Sequence, residues 1–308
     1  MINTVCCAQN GTVGRIRGHP IVRAVRRSGE MIPVTEIHLV VEMLLAESAR
    51  IKRKQSVTYT KRKADDPMKI ALVTGASSGI GRSIAIECSK MGAKLIITAR
   101  NKERLEETLA LMEGERHLLY AGDITDPSFR KNVVKEMPVC NGLVLCAGIS
   151  GHSLFAFLKE EEVKEMFDVN FNSPLFLTKE IVKKKKIASK GSIVYITSTS
   201  GIISSYIGGG LYSSTKGALN GLIKAMSLEL APKYIRVNSV MPSMIETPIM
   251  NGGDITNEQF EKDKEKYPLK RYGKPEEVAY GVIYLLSDAS LWTTGTNLLL
   301  DGGRSVSY

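Results

Sequence analysis

A short apolar run, Lys69-Ile-Ala-Leu-Val-Thr74, leads directly into Gly75-Ala76-Ser77-Ser78-Gly79-Ile80-Gly81, and a helical pattern follows. Three glycines at this spacing let the backbone turn tightly and approach a pyrophosphate, whose charge meets the helix N-terminus. An ordinary β–α turn needs only one glycine. Strand before and helix after make the run a predicted dinucleotide cradle, which restricts the fold to the open α/β sheets that carry one.

The rest of the chain agrees with that restriction. Apolar runs at 69–74, 94–98, 117–121, 142–146, 191–197, 235–240 and 297–300 predict seven strands. Helical stretches separate them; Ile80, Ile84, Cys88 and Met91 share one predicted face. Strands buried on both faces and separated by helices predict a single Rossmann-type α/β domain, a doubly wound seven-stranded parallel sheet. Ligands are then expected at the carboxyl ends of the strands.

The net charge of +10 is unevenly placed. Residues 1–67 carry 12 Lys/Arg against 6 Asp/Glu, whereas the remainder is nearly balanced. This reads as a solvated basic extension preceding a domain at 68–308, and not as a nucleic-acid footprint. Within the extension, 36–51 has the spacing of one helix, with Ile37, Val40, Val41, Leu44 and Leu45 on a face. Residues 1–29 hold five arginines and no acidic residue, which fits a mitochondrial transit peptide; a cytoplasmic protein with an upstream extension is the other reading. No stretch reaches 18 apolar residues, so neither a spanning helix nor a secretory signal is expected. Five cysteines without paired or zinc-type spacing point to a reducing compartment and no metal.

The G-x-x-x-G-x-G spacing resembles that of the short-chain dehydrogenase/reductase family, over about residues 68–303. The resemblance implies a nicotinamide cofactor cradled by Gly75, Ser77, Ser78, Gly79, Ile80 and Gly81. At the end of the second strand, Ala99-Arg100 stands where NAD-preferring relatives carry an acidic residue. Arg100 can pair with a 2′-phosphate, so NADP is expected, with NAD still usable. Asp123 and Ile124 match the family's adenine pocket. Ala147-Gly148 matches the second half of the family's Asn-Asn-Ala-Gly, the first half being Leu145-Cys146 here. Ile245 and Thr247 match the residues that meet the carboxamide, with Ser243 replacing the usual glycine.

Tyr212 and Lys216 lie four apart, one turn along a helix. A free tyrosine of pKa about 10 is a slow acid near neutrality, and an adjacent ammonium is expected to lower it. By resemblance Tyr212 is the proton donor, Ser198 holds the substrate carbonyl, and Asn170 holds a water joining Lys216 to solvent. Residues 248–272 are similar to the family's substrate lid. The closing segment from Arg271 to Gly303 is similar to carrier-protein ketoacyl reductases.

The resemblance implies an oxidoreductase passing hydride between NADPH and a carbonyl, either a small molecule or a 3-oxoacyl carrier-protein thioester. A homotetramer or homodimer is implied with it. A sugar or other small ketone is the alternative substrate, and a non-catalytic NADP-binding regulator the alternative function.

Overall fold

In the computed structural model, which describes residues 69–248 and 256–307, seven strands form one sheet in the order β3-β2-β1-β4-β5-β6-β7. They are β1 (Ile70–Thr74), β2 (Lys94–Ala99), β3 (Leu118–Ala121), β4 (Cys140–Leu145), β5 (Ile187–Ile196), β6 (Arg236–Pro242) and β7 (Asn297–Leu300). Every pairing is parallel. The predicted doubly wound α/β sheet is therefore the observed one. Its order reverses between β1 and β4, and a crevice opens at such a point beyond the strand ends.

Side-chain alternation explains the two-sided burial. Ala71, Val73, Ile97, Val144 and Val194 point to one layer. There they meet α1 (Gly79–Lys90), α2 (Lys102–Ala110) and α8 (Pro275–Leu286). Leu72, Ile96, Leu143, Ile193 and Tyr195 point the other way. That layer holds α3 (Pro127–Glu136), α5 (Ser173–Lys183) and α6 (Gly210–Leu230). A period of two on strands covered on both sides is what a parallel sheet requires. The remaining helices are α4 (Glu160–Phe167) and α7 (Asn257–Lys264).

Several boundaries differ from the sequence expectation. Strand β5 begins at Ile187, four residues early, and its register against β4 shifts between Cys140 and Gly142. Lys190 there takes a left-handed φ of 63°, so a bulge in a polar stretch hides the strand's start from any apolar pattern. Strand β4 ends at Leu145 and leaves Cys146 to the loop. Met91, placed on the buried face of the first helix by spacing, follows its last residue and is 62% exposed. The helix predicted at 36–51 and the rest of the 1–67 extension lie outside the described residues. Among those described, no helix is long and apolar enough to cross a membrane, and no His/Cys/Asp/Glu cluster could hold a metal.

Candidate active site

The cradle is built by close backbone approach. A Cβ on Gly75, whose φ is +69°, would stand 2.8 Å from the Ala147 Cα. One on Gly81 would overlap the Gly75 carbonyl oxygen. Only glycine lets the turn after β1 pass under the loop after β4 and start α1 there. Thr74 fastens the same junction, its Oγ1 accepting from the Cys146 and Ala147 amides at 3.0 and 3.1 Å. Spacing did not single out Thr74; its position at the end of β1 was the available signal.

Helix α1 follows Ser78, whose backbone is extended and whose side chain makes no cap. Its first turn carries no acidic residue, whereas α2 and α3 are capped by Asn101 and Asp126. The carbonyls of Ala76 and Ser77 are each held by a side chain, Thr108 Oγ1 at 2.9 Å and Arg82 Nη2 at 2.8 Å. An uncapped positive helix end with its neighbouring carbonyls pinned elsewhere suits a diphosphate. These residues fit the nicotinamide dinucleotide that the resemblance implies.

The other predicted cofactor residues surround that turn. Arg100 is exposed just past β2 and makes no ion pair among the described residues. Asp123 is exposed, its Oδ1 accepting from Thr125 N and Oγ1 at 2.8 Å each. Ile124 is half-buried against the core. Thr247 lies across from Gly79, where a Cβ would stand 3.4 Å from the Thr247 Cγ2. Ile245 bridges to Gly273: Gly273 N donates to Met244 O at 3.0 Å, and Glu246 N to Gly273 O at 2.9 Å. In that pattern the main-chain groups of Ile245 itself face away from Gly273. Ser243, in place of glycine, donates its amide to Leu300 O and pairs its hydroxyl with Tyr267 OH at 2.9 Å.

Asn170 and Lys216 close around Gly148. A Cβ on Gly148 would stand 3.2 Å from Asn170 Oδ1 and 3.6 Å from Lys216 Nζ. Asn170 sits in a π-helical turn, Asp168–Asn172, where the Ser173 amide bonds to the Asp168 carbonyl. The wider turn inserts one residue between α4 and α5 and swings Asn170 inward, a device common at functional sites. Its Oδ1 accepts from Ile149 N at 2.8 Å, and its Nδ2 donates to Ile149 O at 2.9 Å and Thr215 Oγ1 at 3.2 Å. Both amide donors are thus committed to the loop after β4 and to α6.

Lys216 is 6% exposed, and its Nζ donates to Ile196 O at 2.9 Å. Burial pulls its ammonium down to about 8, against a small opposite pull from Cys146. The Nζ stands 5.7 Å from the centroid of the Tyr212 ring. Burial pushes the Tyr212 hydroxyl above its ordinary value, against a lowering by hydrogen bonding to Ser198. Lys216 is not among the causes of that shift, so the lowering expected from it is not seen. Tyr212 is held protonated at neutral pH, the form a proton donor needs. Burial pushes the Cys146 thiol up to about 12, so a neutral thiol borders the pair.

Comparison with known proteins shows what the whole domain is similar to. A family model described as enoyl-(acyl carrier protein) reductase matches residues 75–305. The chain is 33% identical over 239 residues to a 3-oxoacyl-[acyl-carrier-protein] reductase of Rickettsia conorii, covering 76% of this chain and 96% of that one. A short-chain dehydrogenase/reductase from Serratia marcescens superposes with a TM-score of 0.71 at 30% identity, over 77% of this chain and 98% of the other. An actinorhodin polyketide ketoreductase variant with NADPH superposes with a TM-score of 0.70 at 30% identity, over 77% and 97%.

Proposed function

The chain belongs to the short-chain dehydrogenase/reductase family of oxidoreductases acting on CH–OH and C=O groups, and we propose that it reduces a ketone using NADPH. The observation that carries this reading is the approach of Asn170 and Lys216 to Gly148 beside the glycine cradle, with the Tyr212 ring 5.7 Å from Lys216 Nζ and its hydroxyl bonded to Ser198.

The family binds nicotinamide cofactors, and when bound the nicotinamide supplies the hydride. Gly75, Gly79 and Gly81 give the diphosphate room, and the amides of Ser78, Ile80 and the first turn of α1 hold its charge. Ala147 and Gly148 keep the opposite wall low, and Ile245 and Thr247 orient the reacting ring. Arg100 pairs with a 2′-phosphate, which favours NADP over NAD; Asp123 and Ile124 take the adenine. Ser198 donates a hydrogen bond to the substrate carbonyl. Tyr212 Oη transfers its proton to that oxygen as the carbonyl carbon is reduced. Lys216 steadies the phenolate left behind, and Asn170 fixes the loop at Ile149 beside it.

The similarity to a 3-oxoacyl-[acyl-carrier-protein] reductase makes a 3-oxoacyl thioester the first substrate to assay, with small ketones and sugars beside it. We also read the exposed Tyr280, Leu291, Trp292 and Leu299, near the β7 edge, as a contact between copies of the chain. Light scattering giving a monomer at micromolar concentration overturns that part.

The decisive experiment is Tyr212→Phe, which removes one oxygen and keeps the ring. Proton transfer by a placed side chain contributes ~10²–10⁴-fold, so kcat should fall by about that factor while NADPH affinity holds within a few-fold. Near-parental turnover by the variant overturns the assignment. Absence of NADPH oxidation with every carbonyl assayed favours the non-catalytic cofactor-binding alternative.

A further inference from the structure

Two segments border Tyr212: 149–158, which follows Gly148, and 198–211, which joins Ser198 to the catalytic helix. Together they contain no Asp, Glu, Lys or Arg, in a chain where such residues make up 24%. One hydrogen bond fastens them, Ser153 N to Gly208 O at 3.0 Å.

Across that join, the rings of His152 and Tyr206 lie nearly parallel, 19° apart, with centroids separated by 6.5 Å. Both lie against glycine. A Cβ on Gly208 would stand 2.5 Å from His152 Nε2, and one on Gly209 would stand 2.6 Å from the Tyr206 ring. The glycines ahead of α6 thus let two flat rings rest on the backbone within one turn of Tyr212. Burial first, and then the neighbouring Tyr212, push the Tyr206 hydroxyl above its ordinary value, which places Tyr206 beside the proposed proton donor. Around the rings, Phe155 is 90% and Ile207 82% exposed, and Leu154 and Ile203 are also open to solvent. Large apolar side chains gathered in the open beside a catalytic centre mark a binding surface.

An anionic substrate finds no fixed cation on either segment, so a carboxylate or phosphate seated against them would be desolvated without a partner there. An acidic carrier domain fares no better: past Lys159 comes Glu160-Glu161-Glu162, the acidic first turn of α4. Like charges there oppose such a partner.

We propose that His152 and Tyr206, with Phe155 and Ile207 beside them, form the substrate wall, and that the substrate is a free, uncharged ketone bearing an aromatic or branched apolar group next to its carbonyl. This rests on the carbonyl-reductase reading and narrows it. Tyr206 acts here by orienting the substrate and takes no part in proton transfer.

The test compares methyl 4-acetylbenzoate with 4-acetylbenzoate, which share a ring and a ketone and differ in charge. With the full chain and NADPH, kcat/KM should be at least tenfold higher for the ester. Tyr206→Ala should raise KM for the ester at least fivefold with kcat changed less than twofold, and Tyr206→Phe should restore KM. Ile207→Lys should shrink the ester-to-acid ratio. A short neutral thioester of 3-oxobutanoate should be reduced at least as well as the same acyl group on an acidic carrier protein. Equal or reversed preference for the acid, an unchanged KM in Tyr206→Ala, or a clear advantage of the carrier-bound thioester overturns the proposal. Ligand-observed NMR separates it from the parent reading. Ester binding that Tyr206→Ala abolishes, without any turnover, sinks ketone reduction and keeps the wall, whereas equal binding of ester and acid sinks the wall.

Discussion

A single nitrogen of Arg82 joins the cradle to the helix beside it: Nη2 donates to Ser77 O at 2.8 Å and to Glu107 Oε2 at 2.9 Å. The same nitrogen reaches Arg104 O at 3.1 Å. Arg82 rises from α1, Ser77 precedes it and Glu107 belongs to α2, so one guanidinium spans three pieces of the site's wall. It holds the Ser77 carbonyl within the turn that must receive an anion. Replacing it by Met should loosen the turn and leave that carbonyl free to rotate forward.

The expected outcome for Arg82→Met is NADPH binding weakened by roughly tenfold, the scale of about 1–2 kcal/mol for a charged hydrogen bond. NADH should weaken by a similar factor, because the diphosphate turn serves both cofactors. Fluorescence titration of the two reduced cofactors checks it. A loss confined to NADPH would instead place Arg82 at the 2′-phosphate.

Arg100 makes the contrasting prediction. It is exposed just past β2 and engages no carboxylate among the described residues. Arg100→Ala should cost NADPH about 1–3 kcal/mol of affinity and leave NADH nearly unchanged. Parental protein with equal affinities for the two cofactors contradicts the assignment before any variant is made.

Asn170 is 1% exposed and makes three hydrogen bonds, two of them to the amide and carbonyl of Ile149. Asn170→Ala leaves those part-buried main-chain groups unpaired, at up to about 1–3 kcal/mol each unless water enters. The variant should unfold at lower denaturant concentration. Its kcat should fall more than its NADPH affinity, since the Ile149 loop borders Lys216 and Tyr212 more closely than the diphosphate turn. Unchanged stability and turnover together would show that water replaces the amide fully.

The sheet and its ligand end were legible because alternation and glycine spacing are local. Val73 and Leu72 must point to opposite layers whatever surrounds them, and Gly75 and Gly81 admit no Cβ. Tyr212 and Lys216 were legible by helical spacing. The π-helical turn at Asn170 was not, since one inserted residue leaves no mark in an apolar pattern. Nor were Thr74 and Arg82, whose partners lie on other elements. His152 and Tyr206 come together only when the loops after β4 and β5 fold side by side.

The last prediction concerns the stability that Lys216 sacrifices. The residue is 6% exposed, and burial holds its ammonium near 8 in the fold, below its ordinary value of 10.5. Between those values the unfolded chain binds more protons than the folded one at this residue, so its contribution to stability rises with pH. Below about 8 the folded protein carries a buried ammonium, at a cost on the order of 2–4 kcal/mol; above about 10.5 the penalty is gone. Lys216→Met removes that titration and strands the Ile196 carbonyl, an offset that does not vary with pH. Denaturant unfolding of both proteins at pH 7 and pH 9.5 should therefore show the parent gaining on the variant as pH rises, whatever their difference at pH 7. A difference that stays constant or moves the other way would mean that Lys216 keeps an ordinary ammonium in the fold, and its placement beside Tyr212 would need another account.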